Sequence, residues 1–202
     1  MNVVIMGQEW LAAKVLEAVV GEGHTVLRAL SPSNGDQLAL TAKRLGVPLG
    51  FYGERVEEKD IPEGTEVILV AQTATFVPRN VRIRAAHGAL GYHPSLLPRH
   101  RGIDAMHWAI HMREPVTGGT VFWMDDNLDT GDIAAQQWCH IRPEDTPKTL
   151  WERDLEPMGV RLFAEVLRAM EQGQTVRIPQ DPVLATWEPG VRKRGKTIAG
   201  KP

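Results

Sequence analysis

Asn2-Val3-Val4-Ile5-Met6-Gly7 is an apolar run rich in β-branched residues and closed by glycine, the pattern of a short buried strand. A helical pattern follows from Trp10 to Val20, with Leu11, Val15, Ala18 and Val19 on one face, and it stops at Gly21 and Gly23. His24 to Leu30 reads as a second strand, Gln37 to Leu45 as a helix ended by Gly46, and Val47 to Phe51 as a third strand. Strand and helix alternating in this way predict an α/β fold: a Rossmann-like, mostly parallel twisted sheet with helices on both faces. Glu54 to Gly64 is polar and reads as a loop with little structure. Further strands are expected over Glu66–Val70, Gly118–Met124 and Ile133–Ile141, and a helix over Asp104–Met112 with Asp104 suited to the dipole at its start. Thr146-Pro147 predicts another helix start, and Pro157 is expected to break or kink that helix before it ends at Gly173. The regular pattern gives one domain over residues 1–175. Residues 176–202 read as an extension, proline-rich and then basic, without a second domain.

Composition narrows the classes of partner. The chain has 202 residues, a formal net charge of −2 and a pI near 6.4, with no global pull toward nucleic acid or membrane. Cys139 is the single cysteine, which rules out an intramolecular disulfide and suits a reducing, cytoplasmic setting. No apolar stretch approaches the ~20 residues needed to span a bilayer. Arg192-Lys193-Arg194, with Lys196 and Lys201, reads as a solvated tail rather than a nucleic-acid site. Gly7-Gln8-Glu9 lacks the spaced glycines of a dinucleotide fingerprint. His107 and His111 sit at a spacing compatible with metal ligation, but no acidic third ligand completes a zinc pattern, and no metal is expected.

Two stretches carry the chemistry. The first is Gly91-Tyr92-His93-Pro94-Ser95-Leu96-Leu97-Pro98-Arg99-His100-Arg101-Gly102. Pro94 and Pro98 disfavour the α conformation at His93 and Leu97, so the segment reads as an extended strand end. An aliphatic residue would fill the place of His93 without a polar group to satisfy, yet a functional and a structural histidine both remain open on these grounds. The second is Phe122-Trp123-Met124-Asp125-Asp126-Asn127-Leu128-Asp129-Thr130-Gly131-Asp132-Ile133. It mimics a calcium loop until Thr130 stands where a glycine is required and Gln136 where the closing Glu belongs. Carboxylates so close in sequence must separate, bind a cation or change their protonation.

Both stretches resemble the folate-dependent formyltransferase family, whose signature contains His-Pro-Ser-Leu-Leu-Pro. The wording Tyr-His-Pro-Ser-Leu-Leu-Pro-Arg-His-Arg-Gly is most similar to the N-terminal hydrolase domains of 10-formyltetrahydrofolate dehydrogenases. The likeness runs from Val4-Ile5-Met6-Gly7-Gln8 to Thr186-Trp187-Glu188. It implies a formyltransferase catalytic domain using 10-formyltetrahydrofolate, with His93 as acid and oxyanion donor and Asp129 setting its protonation and passing a proton through water. Thr75, Phe76 and Val77 would touch the pterin, Ser95, Leu96, Leu97 and Pro98 the folate, and Asn127 and Leu128 would line the pterin pocket. Without the resemblance, Thr75–Val77 is a plain loop with Phe76 in the core. Arg99 and Arg101 could attract an anionic glutamate tail or the acceptor, or could pair with Asp104.

The resemblance implies transfer of the formyl group to a small amine acceptor. The alternatives are hydrolysis to formate, or a folate-binding protein without fast chemistry. Most of the family has an asparagine, a second oxyanion donor, where this chain has Gly91. Gly91→Asn is expected to speed the reaction if the backbone there is extended and the pocket has room. The phosphate loop of the purine-pathway members is missing, which argues against a phosphoribosyl acceptor. The C-terminal domain of the initiator-tRNA enzymes is not seen, nor are the later dehydrogenase domains, so neither tRNA formylation nor oxidation to carbon dioxide is expected. A homodimer is left open.

Overall fold

The computed structural model describes residues 1–73 and 75–191; the basic run from Arg192 and residue Ala74 of the expected folate loop lie outside the described residues. Seven strands form one sheet: β1 (Asn2–Gly7), β2 (Thr25–Ser31), β3 (Leu49–Phe51), β4 (Val67–Ala71), β5 (Ala89–His93), β6 (Val116–Trp123) and β7 (Ile133–His140). Their order is β3-β2-β1-β4-β5-β6-β7. The first five run parallel, and β6 and β7 continue the sheet antiparallel from β5. This is the expected α/β sheet, mostly parallel, with an antiparallel edge.

The pleat divides the core. Val3 and Ile5 of β1 and Leu69 of β4 enter one cluster, while Val4, Met6, Ile68 and Val70 enter the other. The first face is covered by α1 (Glu9–Gly21), α2 (Gln37–Leu45) and the long C-terminal helix α6 (Glu156–Glu171). It also takes Met106 and Ile110 of α4 (Ala105–His111) and Leu150 of α5 (Pro147–Leu150). Among the described residues, the second face carries the single-turn α3 (Arg79–Arg82), the segment around Tyr52, Val56 and Ile61, and Met124. Helices thus lie on both faces, but unequally. The polar stretch 54–64 is more ordered than its composition predicts. Val56 and Ile61 are each 2 % exposed, and Glu57 and Asp60 cap a 3₁₀ turn at Glu58–Asp60.

Pro157 ends no helix. The chain passes from α5 through a wide π turn at Trp151–Leu155 directly into α6, with Pro157 in the first turn of α6. The wider turn absorbs the hydrogen bond that proline cannot make. At the other helix start, Asp104 occupies the N-cap position of α4, but its side chain makes no capping hydrogen bond. It sits at φ 63° and accepts from the Val191 N–H instead.

Residues 176–191 are sewn onto the β6–β7 edge of the sheet. Ile178 exchanges both backbone hydrogen bonds with Ile133 (2.8 and 3.0 Å). The Trp123 indole donates to the Val176 carbonyl at 2.8 Å, and the Arg177 guanidinium lies 4.0 Å over the Trp123 ring. Thr186 donates to the Pro98 carbonyl and accepts from the Arg101 N–H, so this segment braces the loop after β5. No described helix is long and apolar enough to cross a membrane.

Candidate active site

The parallel strands β1, β4 and β5 end on one side of the sheet, where ligands of open α/β folds bind. His93 is the last residue of β5 and is 6 % exposed. The extended conformation expected for the following stretch stops there. From Pro94 the chain turns: the Ser95 hydroxyl donates to the Arg99 carbonyl at 2.6 Å, the Arg99 N–H reaches back to Leu96, and the Leu97–Pro98 bond is cis. This turn returns the His100 carbonyl to within 2.6 Å of His93 Nε2. A carbonyl can only accept, so Nε2 carries the proton. Nδ1 is the nitrogen left for chemistry, and it faces Asp129 Oδ2 at 3.5 Å.

Asp129 is held in turn. Its Oδ2 accepts from the Gly102 N–H at 2.8 Å, and its backbone sits at φ 56°, a conformation that Asp tolerates better than most residues. Gln180, from the C-terminal segment, clamps the loop. Its amide nitrogen donates to the carbonyls of Asp129 (3.0 Å) and Gly131 (2.7 Å), and its oxygen accepts from Arg101 Nε and Nη2 (3.1 and 2.7 Å). The crowded carboxylates separate as electrostatics requires. Asp125 accepts from Thr130 and Asn127, Asp126 pairs with Arg82, and Asp129 alone turns to the histidine.

Beside this pair lies a cleft of about 170 Å³ lined by Val70, Gln72, Thr73, Thr75, Phe76, Gly91, Tyr92, Phe122, Met124, Asn127, Leu128 and Asp129. Burial and the bond to the Leu155 carbonyl (2.6 Å) keep the Tyr92 phenol protonated, its pKa pushed far up chiefly by desolvation. Phe76 is 58 % exposed rather than in the core, and it also walls a second groove of about 840 Å³ over residues 54–59, Pro78 and Asn80.

Of the residues singled out in the sequence, the structure brings Asp129, Thr75, Phe76, Asn127 and Leu128 together at the cleft, with His93 behind Asp129 and not in the lining. Val77 and Leu97 are core, at 0 and 2 % exposure. Ser95 is fully buried and holds the turn, with its carbonyl accepting from the Thr120 hydroxyl at 2.7 Å. Pro98 is part of that turn, and its carbonyl accepts from Thr186. Leu96 lines a separate hollow with Arg99, His100 and Glu114, where Arg99 pairs with Glu114 rather than Asp104. Ser95–Pro98 therefore shape the loop without lining the cleft.

Three contributors were not singled out individually by the sequence. Gln180 lies over fifty residues from Asp129 in sequence, and Phe122 reads as an ordinary strand residue. Gln72 stands within the expected folate loop but is one of many surface-type amides. Gly91 has an extended backbone, yet a Cβ there would stand 3.0 Å from Phe122 Cε1 and Cζ and 3.3 Å from Met124 Cγ. Phe122 is its cross-strand partner on β6, so the aromatic ring takes the room beside the glycine.

Comparison with known proteins agrees with this architecture. Residues 50–167 match the model of the formyl transferase family. The cytosolic 10-formyltetrahydrofolate dehydrogenase of Xenopus laevis is 35 % identical over 211 residues, covering 98 % of this chain and 23 % of the relative. The chain thus spans about a quarter of the length of such relatives. Glycinamide ribonucleotide transformylase 1 from Symbiobacterium toebii superposes with a TM-score of 0.76 at 20 % identity, over 89 % of this chain and 93 % of that one. HypX from Aquifex aeolicus, solved in complex with tetrahydrofolic acid, gives 0.72 at 17 % identity over 95 % of this chain and 30 % of that one.

Proposed function

From the premise that the chain belongs to the formyl transferase family, we propose that it takes the formyl group of 10-formyltetrahydrofolate and transfers it to an amine, with His93 and Asp129 as the catalytic pair. The observation that carries this reading is His93 Nδ1 at 3.5 Å from Asp129 Oδ2, beside a cleft at the ends of β4 and β5. Attack on the formyl carbon generates an oxyanion, and a protonated Nδ1–H aimed at it stabilises that charge and supplies a proton to the leaving N10. The His100 carbonyl locks the ring so that only Nδ1 can do this. Asp129, adjacent, accepts a proton from the nucleophile directly or through one water. Thr75, Phe76, Asn127 and Leu128 supply the apolar and polar walls for the pterin, and the groove beyond Phe76 continues the path for the rest of the folate. The likeness to a protein solved with tetrahydrofolic acid supports the choice of ligand.

A second reading, hydrolysis to formate, is favoured by Gly91. Phe122 fills the space beside it, so the oxyanion has no side-chain donor from that strand and slower attack by water suffices to explain the site. The test is turnover of 10-formyltetrahydrofolate with amine and without, separating formylated amine from formate. His93→Ala and Asp129→Ala are each expected to cut turnover by about 10²–10⁴-fold while leaving the circular dichroism spectrum unchanged. Thermal stabilisation by NAD and none by tetrahydrofolate, or wild-type rates in either variant, would refute the proposal.

A further inference from the structure

Gln72 follows β4 directly, and its place at the strand end is set by the sheet. Val70, two residues before it, pairs with Gly91, two residues before His93. Gln72 sits at φ 58° just after β4 and Glu9, the first residue of α1, at φ 59°, left-handed conformations that cost energy outside glycine. The two meet: the Gln72 amide nitrogen donates to Glu9 Oε2 at 2.6 Å. A carboxylate can only accept, so this bond fixes which end of the amide is oxygen. That oxygen, Oε1, is buried without a hydrogen-bond partner, in a residue that lines the cleft with Gly91 and Asp129. A buried unpaired amide oxygen is costly, and a ligand donor in the cleft would satisfy it.

The surroundings narrow what that donor belongs to. The N-terminus of α1 is the natural anion site at this edge, but the protein's own Asp36 occupies it, accepting from the Glu9 N–H at 2.9 Å. Asp36 is anchored by the Leu38 N–H (2.9 Å) and the Ser31 hydroxyl (3.3 Å), so it does not yield readily to a ligand phosphate. With Glu9 beside it, this side of the cleft repels anions.

Resting on the transfer reading above, we propose that Gln72 receives the acceptor: its Oε1 binds an N–H of an incoming primary amine that carries no phosphate at this end, and Glu9 is the positioning residue that orients the amide. The step balances without a further reactant. The amine nitrogen forms a bond to the formyl carbon, the bond from that carbon to N10 breaks, and the proton lost by the amine ends on N10. The products are the formamide and tetrahydrofolate.

The test uses ethanolamine and O-phosphoethanolamine as probes, with folate affinity measured by calorimetry in parallel. For the wild type, kcat/KM with ethanolamine should exceed that with its phosphate ester at least about 10-fold. Gln72→Leu should raise KM for ethanolamine by about 10-fold or more, while the Kd for tetrahydrofolate moves by less than about 3-fold. Glu9→Gln, which frees the amide to turn, should give a smaller rise in KM with kcat nearly held. If Gln72→Leu fails to bind folate at all, Glu9→Gln decides. An unchanged ethanolamine KM, a preference for the phosphate ester, or formate as the only product overturns the inference while leaving the family reading intact. Failure of the wild type to consume 10-formyltetrahydrofolate overturns the transfer reading itself.

Discussion

Gly91→Asn is the substitution for which sequence and structure disagree most usefully. The family resemblance implies that an asparagine here would add an oxyanion donor worth about 2.7–4 kcal/mol in the transition state. One condition for that gain is met, because Gly91 is extended and an L-residue fits its backbone. The other is not: the new Cβ would lie 3.0 Å from two atoms of the Phe122 ring and 3.3 Å from Met124 Cγ. Phe122 is 4 % exposed although it borders the cleft, so the ring has to give by a few tenths of an ångström. Overpacking of this kind costs about 1–3 kcal/mol, offset by about 0.4–1 kcal/mol from the stiffer unfolded chain. The net loss is about 0–2.6 kcal/mol, and its midpoint of ~1.3 kcal/mol lowers the Tm by roughly 3–5 °C for a domain of this size. Gly91→Ala should show the same loss, since the clash is at Cβ. The rate of Gly91→Asn should be no higher than that of the wild type. Combined with Phe122→Leu, which opens the space, Gly91→Asn should recover the lost Tm and raise the formyl-transfer rate by about 10²-fold. The assay is tetrahydrofolate formation under saturating amine, with differential scanning fluorimetry on all variants. A rate gain from Gly91→Asn alone with no loss of Tm would refute the steric reasoning. No gain in the double variant would show that position 91 does not face the oxyanion.

Two further outcomes follow from the packing around the site. Gln180→Leu removes both donors to the Asp129 loop and leaves Arg101, 8 % exposed, without its acceptor; a loss of about 2–3 kcal/mol in urea unfolding and a fall in kcat larger than any change in folate Kd are expected. The Arg153 guanidinium, bonded to Asp145 at 2.5 and 2.9 Å, holds that carboxyl below the usual carboxylate range, so its contribution is present above pH ~4 and lost as pH falls through the lowered value; Asp145→Asn should lower the Tm at pH 7, with the gap to wild type closing below pH ~4.

The run from Asn2 to Phe51 determined three of the five parallel strands by itself, because buried strands and amphipathic helices announce themselves in the spacing of apolar residues along short windows. That His93 and Asp129 stand together was expected for another reason: the resemblance pairs them, through two long motifs that lie in the same order in this chain. Pro157 shows where local rules stop. Proline forbids one hydrogen bond, but whether the helix breaks or widens into the π turn at Trp151–Leu155 depends on what α6 packs against. The same holds for Ser95–Pro98, which share a motif with His93 yet turn inward to hold the loop, since side-chain direction after Pro94 is set by the bonds to Thr120, Thr186 and His93. Gln180, Gln72 and Phe122 were decided by tertiary structure alone. Gln180 reaches Asp129 across 51 residues of chain, Phe122 meets Gly91 only through strand pairing, and Gln72 gains its meaning from the one carboxylate that orients its amide. Contacts between distant segments leave no periodicity in either segment, so folding had to bring them together before their chemistry could be read.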